Sequence, residues 1–335
     1  MHTMSKTRAT AADVALAAGV SKWTVTRAFT PGASIAEASR ERVLREAAKL
    51  GYRPNLLARS LATKTTNLVA VLVDDFANPY QLPILEILTQ ALQAEQMATL
   101  LLNINRHFDL VAAVLDADQR QVDAVVLIGT DFRDEALSDK ALPPAAPPLY
   151  VLSRESTIPH IPSVSCDAQA SMQAINQHLW QRGYRRPGFM SGPHTLSTAL
   201  GRQSCFRKFW QQQGVANVLE LSAGSYGRLV AAQTLRTYLE TTSAENRIDV
   251  LMCENDALAI GAIDTARHEF GLEIPKDLAI VGYDGHELAG SPSFDLTTYR
   301  QPMQEMADAL VAMLKGRLER KSLTITGELI VRGSS

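Results

Sequence analysis

The chain has 335 residues and 46% apolar content, enough for a small domain plus a larger two-lobed body, and no apolar run approaches the roughly 20 residues of a membrane span. The net charge of −2 hides a segregation, because the first 65 residues hold 11 Lys and Arg against 4 Asp and Glu while the rest hold 22 against 31. A basic end on an acidic body fits either a nucleic-acid-binding head or a solvated basic tail.

The cations of "MHTMSKTR" precede no apolar signal-peptide stretch, so a cytoplasmic protein without membrane contact is expected. Thr10-Ala11-Ala12-Asp13 fits a capping box and predicts a helix from Ala11 to Ala18. Gly19 suits its C-terminus, and Ser21 can cap a second short helix, which makes a helix-turn-helix. Val14, Ala15, Ala18, Val20, Val25 and Ala28 then close a small core and leave Lys22, Trp23, Thr24, Thr26 and Arg27 on the outer face. A third helix is predicted from about Ala36 to Leu50, with Val43, Leu44, Ala47 and Leu50 facing inward and Gly51 closing it.

A recognition helix carries its outer residues to base edges in the major groove. Arg27 offers a bidentate partner for guanine, Thr24 and Thr26 offer hydroxyls to phosphates or bases, and Trp23 offers an apolar face to a thymine methyl or the groove wall. The structural alternative is that Trp23 covers the edge of the miniature core. "NLLARSLAT", residues 55–63, is rich in helix formers but shorter than the 12 to 15 residues at which isolated helices become marginal, so it needs a partner.

From Asn67 short apolar runs alternate with helical patterns. "LVAVLV" (68–73), "ATLLLNI" (98–104), "AVVLIG" (124–129), "PLYVLS" (148–153), "PGFMSG", "VLMCEN" and "LAIVGYD" read as buried parallel strands in two α/β lobes, with helices such as Ile84 to Gln96 and Met172 to Arg182 between them. "LPPAAPP", 142–148, reads as a loop. Ligands in such sheets sit beyond the carboxyl ends of strands, which points to Asp74, Asp75, Ser153, Arg154, Ser191, Asn255, Asp256 and Asp284 around a cleft between the lobes. Read singly, each has a structural alternative: Asp256 a helix cap, Asn255 a turn former.

Enzymatic chemistry finds no support. There is no G-x-x-x-x-G-K-[ST], G-x-G-x-x-G or G-x-S-x-G, and the strand-end carboxylates lack a nucleophile and base pair, so no catalytic residue and no cofactor is expected. Cys166, Cys205 and Cys253 are too widely spaced for a C-x-x-C pair and read as reduced structural thiols. No Cys/His cluster has metal-ligand spacing, so no metal is expected either.

"DVALAAGVSKWTVTRAF" followed by "LGYRPNLLARSLATKTTNLVAVLV" resembles the LacI-type family of bacterial transcription regulators, the relatives of the lactose, galactose and purine repressors. The resemblance continues through "NPY" (78–80), "GYRRPGFMSGP" (183–193), "STALGRQSCF" (197–206), "ENDALAIGA" (254–262), "IPKDLAIVGYDG" (274–285) and "LTTYRQP" (296–302), nearly the full length. It implies an N-terminal three-helix helix-turn-helix domain (1–54), a hinge helix and linker (55–66) and a two-lobed periplasmic-binding-protein-like α/β effector domain (67–335). Within the last, the N-lobe covers about 67–165 plus 301–327 and the C-lobe about 166–300 plus 328–335.

The family's DNA-contacting positions fall here on Thr10, Ser21, Lys22, Trp23, Thr24, Thr26 and Arg27, with Lys22 and Trp23 at the two most sequence-discriminating places. Asn55, Ala58 and Leu61 fall on a hinge helix that pairs with its dimer mate in the minor groove, where Leu61 wedges between base steps. Read from its residues alone, Leu61 could equally pack on the body. Effector-contacting positions fall on Tyr80, Ser153, Thr198, Arg202, Tyr226, Asn255 and Asp284. Arg, Asn and Asp beside an aromatic face suit a hydroxylated molecule, a sugar or sugar acid by default, and Ser153 stands where lactose-type relatives often carry an Asp, which adds weight to an anionic effector such as a sugar acid or phosphorylated sugar. The third helix departs from the family in having Ala36 where a capping Ser is usual. A homodimer acting on a pseudo-palindromic operator as a repressor of carbohydrate or sugar-acid metabolism genes is the expected whole, with no heptad extension after "GELIVRGSS" to build a tetramer; the alternatives are a transcriptional activator or nucleoid-bending protein, and a sugar-binding receptor without DNA function.

Overall fold

The structure is a computed structural model that describes residues 9–30, 32–54, 65–74, 76, 78–104, 109–130, 137, 142–193 and 201–335. It divides into two compact units, Met1–Thr66 and Asn67–Ser335.

The small unit holds α1 (Ala11–Ala18), α2 (Lys22–Ala28) and α3 (Glu37–Leu50). The capping box at the start of α1 forms, with the Thr10 amide donating to Asp13 Oδ2 at 2.8 Å and the Asp13 amide donating to Thr10 Oγ1 at 3.4 Å. Gly19 takes the left-handed conformation (φ 62°) that turns the chain into Ser21, whose hydroxyl accepts from the Thr24 amide at 3.1 Å. Val14, Ala15, Ala18, Val25, Ala28, Val43 and Ala47 form the core, with Val20, Phe29, Ile35 and Tyr52 packed against it. Leu44 and Leu50, expected inside, are exposed. One apolar stripe, Val43 and Ala47 at i,i+4 spacing, is all that so small a core can bury from α3. Arg40 fixes α3 to the end of α2 by donating to the carbonyls of Ala28 and Ala33, each at 2.9 Å. Ala36 caps α3 without any side-chain hydrogen bond.

The large unit contains two six-stranded sheets. The N-lobe sheet uses β1 (Leu68–Val73), β2 (Ala98–Asn103), β3 (Ala124–Ile128), β4 (Leu149–Leu152), β5 (Ser163–Cys166) and β11 (Leu323–Ile325), in the order β11-β5-β4-β3-β1-β2 and parallel throughout. The C-lobe sheet uses β6 (Pro187–Ser191), β7 (Leu219–Ser222), β8 (Val250–Cys253), β9 (Ala279–Asp284), β10 (Thr297–Arg300) and β12 (Glu328–Ile330), in the order β12-β10-β9-β8-β6-β7 with only β12 antiparallel. The chain therefore crosses between the sheets after β5, after β10 and between β11 and β12. The central strands are buried on both faces, as parallel sheets sandwiched by helices require.

Between α4 (Gln81–Ala94) of the N-lobe and the later helices come α5 (Leu110–Gln119) and α6 (Ala168–Gln181); the site is positioned by α4 together with α7 (Arg202–Gln212), α8 (Arg228–Thr241) and α9 (Asp256–Asp264) of the C-lobe. The helix expected to begin at Ile84 begins three residues earlier because Pro83 sits in its first turn, where no intrahelical N–H is needed. The helix expected from Met172 likewise starts at Ala168, capped by Asp167, whose carboxylate accepts from the Ala170 amide at 2.8 Å. Among the described residues no helix is long and apolar enough to cross a membrane.

Candidate functional site

Two surfaces carry the chemistry, one in each unit. On α2 the buried side is Val25 and Ala28, which leaves Lys22, Trp23 and Thr26 exposed and Arg27 half-buried. Trp23 is 66% exposed, so it does not close the small core, and the Arg27 guanidinium lies over its ring, 4.3 Å from the centroid. The hydroxyls of Ser21 and Thr24 are 2.9 Å apart, and that of Thr26 donates to the Lys22 carbonyl at 3.2 Å. Thr10 is taken up by Asp13 through its amide and its hydroxyl. The positions of Asn55, Ala58 and Leu61 lie outside the described residues, as do those of Asp75 and Thr198.

In the large unit Tyr80, Ser153, Arg202, Tyr226, Asn255 and Asp284 line a single cavity between the two sheets, together with Gln81, Arg154 and Gln301. The N-lobe supplies Tyr80 and Gln81 from the start of α4 and Ser153 and Arg154 from the end of β4; the C-lobe supplies Arg202 from the start of α7, Asn255 from the turn after β8 and Asp284 from the last position of β9.

The cavity is tightly prearranged. Arg202 follows Gly201, whose left-handed φ of 68° turns the chain into α7, and it donates through Nη1 to the Glu254 carbonyl at 2.8 Å. Its guanidinium lies 3.7 Å from the centroid of the Tyr283 ring, which in turn stacks on Tyr299 at 5.4 Å. Glu254 accepts from the Gly192 amide at 2.7 Å and from the Tyr226 hydroxyl at 3.4 Å. Gly192 has to be glycine, because a Cβ there would overlap the Tyr226 ring. The Tyr80 and Ser153 hydroxyls lie 3.4 Å apart. Ser153 and Asp284 both hold positive φ, 73° and 113°, a conformation that L side chains rarely adopt and that clusters at ligand sites.

Asp284 accepts from Gln301 Nε2 at 2.8 Å. Burial pushes its carboxyl up to about 7, against the pull of Arg202 and the Gln301 hydrogen bond and with Glu254 adding to the rise. Asp256 is also raised, by burial first and then by Asp284. Asp256, read as a possible cap, instead accepts from the Thr298 hydroxyl at 2.6 Å and the His286 amide at 2.7 Å. The cap of α9 is Asn255, whose Oδ1 accepts from the Leu258 amide at 2.8 Å, leaving Nδ2 as its remaining donor. Two acceptors on the cavity, Gln81 Oε1 and Gln301 Oε1, are buried without a partner among the described residues. The arrangement can present donors, acceptors and two aromatic rings to a small polar molecule.

Glu254, Tyr283, Gln81 and Gln301 were not singled out from the sequence. Glu254 sits directly before the flagged Asn255, and Tyr283 directly before Asp284, so strand-end position was the available signal. The described residues contain no group of His, Cys, Asp and Glu that could hold a metal ion.

Comparison with known proteins places both units. The profile of bacterial regulatory proteins of the lacI family matches residues 10–55, and that of the periplasmic binding protein-like domain matches 176–335. The chain carries a LacI-family helix-turn-helix domain and a periplasmic-binding-protein-like domain. The chain is 28% identical over 326 residues to the ribose operon repressor of Halalkalibacterium halodurans, covering 96% of this chain and 95% of that protein. It is 24% identical over 338 residues to the transcriptional repressor CytR of Escherichia coli, covering 98% and 97%. These relatives are transcriptional repressors, not enzymes. The fold matches the lac repressor dimer bound to operator and an anti-inducer, with a TM-score of 0.86 at 22% identity over 98% of this chain and 99% of that one. It also matches the transcriptional regulator CelR in complex with cellobiose, with a TM-score of 0.68 at 25% identity over 98% of this chain and 100% of that one.

Proposed function

We propose that this protein is a homodimeric, ligand-responsive repressor that reads a pseudo-palindromic operator with α2 and senses a hydroxylated small molecule, a sugar, sugar acid or phosphorylated sugar, in the cavity between its two sheets. The observation that carries the reading is the joining, in one chain, of an outer face with exposed Lys22, Trp23 and Thr26 beside half-buried Arg27, and a buried Arg202-Asp284-Gln301 cluster. The first has the donors and apolar surface that base edges demand. The second leaves two amide acceptors waiting for ligand hydroxyls, and an unpartnered buried acceptor is costly enough that a binding molecule gains by satisfying it. Arg154 and Arg202 on the cavity, beside an Asp284 carboxyl that burial pushes up to about 7, favour an effector bearing an anionic group. A relative named as a repressor of the ribose operon and a similar structure in complex with cellobiose accord with a sugar-like ligand.

Each subunit contributes one head, so two-fold symmetry in the protein calls for two-fold symmetry in the operator. Apolar side chains on both lobes support self-association: Leu82 (63% exposed) and Leu101 flank a groove beside the edge strand β2, and Leu229 on α8 is 87% exposed. The protein works in the cytoplasm, where its DNA lies. Effector binding between the lobes changes their relative setting and thereby the affinity of the heads for DNA, a coupling that thermodynamics makes reciprocal.

The test is to isolate a preferred duplex by repeated selection from a random library, then titrate it against the protein with neutral sugars, sugar acids and sugar phosphates. One ligand class is expected to change duplex affinity by about 5- to 150-fold. A chain that prefers no duplex lacks the proposed activity.

A further inference from the structure

We infer that Trp23 reads DNA through Arg27: the indole is a positioning residue that holds the Arg27 guanidinium edge-on to one guanine of each half-site. The inference rests on the operator-binding reading above and assigns how the recognition helix achieves selectivity.

The geometry begins with spacing. Residues 23 and 27 stand four apart on α2 and so share a face one turn apart. The guanidinium carbon lies over the indole, 4.3 Å from the ring centroid, well inside the range at which a cation is attracted by an aromatic face. Arg27 Nε is buried and has no hydrogen-bond partner among the described residues. An enclosed Nε leaves the two terminal nitrogens as the donors the side chain can offer. Those two nitrogens form the fork that matches guanine O6 and N7 in the major groove.

Among the described residues no polar group of the small unit holds this side chain. Its guanidinium makes no hydrogen bond or ion pair with the described residues, whereas Arg40, on α3, is pinned by two backbone carbonyls. Without the indole, Arg27 would sample many rotamers and would have to give up that freedom on binding. With it, the ordering has already occurred before DNA arrives, which is how a preorganised contact gains both affinity and selectivity. Trp23 itself is two-thirds exposed and buries no core surface, so its exchange tests the contact rather than the fold. The indole therefore acts at the base pair that Arg27 touches, not at one of its own.

The experiment is selection from a random duplex library by the full-length wild type, Trp23→Leu, Trp23→Phe, Arg27→Ala and the double variant, followed by measurement of relative affinities for each base at every selected position. Wild type is expected to select one guanine strongly in each half-site. Arg27→Ala loses that preference, Trp23→Leu lowers it at the same position by about fivefold or more, Trp23→Phe restores most of it, and the double variant matches Arg27→Ala. The inference is overturned if Trp23→Leu keeps the guanine preference or alters a different base pair instead, or if Arg27→Ala weakens all duplexes uniformly, as loss of a phosphate contact would. Absence of any preference in the wild type would overturn the operator-binding reading itself, a distinguishable failure.

Discussion

Arg202 lies over the ring of Tyr283, 3.7 Å from its centroid, while one of its nitrogens donates to the Glu254 carbonyl. Ring and carbonyl together hold a flat cation at the mouth of α7 with its orientation fixed. Lysine has the charge but neither the planar fork nor the stacking face. Arg202→Lys is expected to weaken effector binding by roughly 1–3 kcal/mol, measured by calorimetry, and to leave effector-free affinity for the selected duplex unchanged.

Asp284 should make stability depend on pH. An unfolded Asp is ionised above about 4, whereas the buried carboxyl keeps its proton to about 7. Between these values the native state binds more protons than the unfolded one, so the contribution of this group to stability is present at low pH and is lost as pH rises towards 7. Urea unfolding of wild type and Asp284→Asn at pH 5.5 and pH 8 should show the wild type losing about 2 kcal/mol relative to the variant over that window. Equal pH dependence in the two proteins would remove Asp284 as its source.

Gly192 permits the close approach of Tyr226 and donates its amide to Glu254. Gly192→Ala should displace the Tyr226 ring from the cavity and destabilise the large unit by about 1–3 kcal/mol, the usual cost of overpacking. Thermal unfolding reports the second effect and ligand titration the first.

Helix capping in the small unit offers paired changes of opposite sign. Ser21 Oγ accepts from the Thr24 amide, whereas Ala36 caps α3 with no side-chain bond. Ser21→Ala should cost the head about 1 kcal/mol, and Ala36→Ser, at an extended backbone suited to a cap, should return a similar amount. Hydrogen exchange of the amides of α1 to α3 would resolve both without reference to the large unit.

The long central strands were legible because parallel strands buried on both faces must be apolar throughout, as in 68–73 and 124–128. The short strands Ser163–Cys166, Leu219–Ser222 and Thr297–Arg300 alternate or carry polar residues and gave no apolar run to detect. Helix starts slipped where Pro83 masked a first turn. In the site, the residues adjoining strand ends could be listed from the sequence, but their roles could not be divided. Whether Asn255 or Asp256 caps α9 depends on which backbone amide each carboxamide or carboxylate reaches, and that is a three-dimensional fact. Leu44 and Leu50 fitted the helical period yet lie outside because the core beneath α3 is too small to take a second stripe.

The central claim is that one unit reads duplex sequence while the other decides how firmly it does so. The most direct measurement is the affinity of full-length protein for its selected duplex against bulk genomic competitor, with and without the ligand that the cavity binds, for wild type, Arg27→Ala and Arg202→Lys. A preference of at least about 10³ for the selected duplex is expected, strongly reduced in Arg27→Ala, with a ligand response seen in wild type and lost in Arg202→Lys. A wild-type protein that binds selected and genomic DNA alike, whatever ligand is present, would contradict the account.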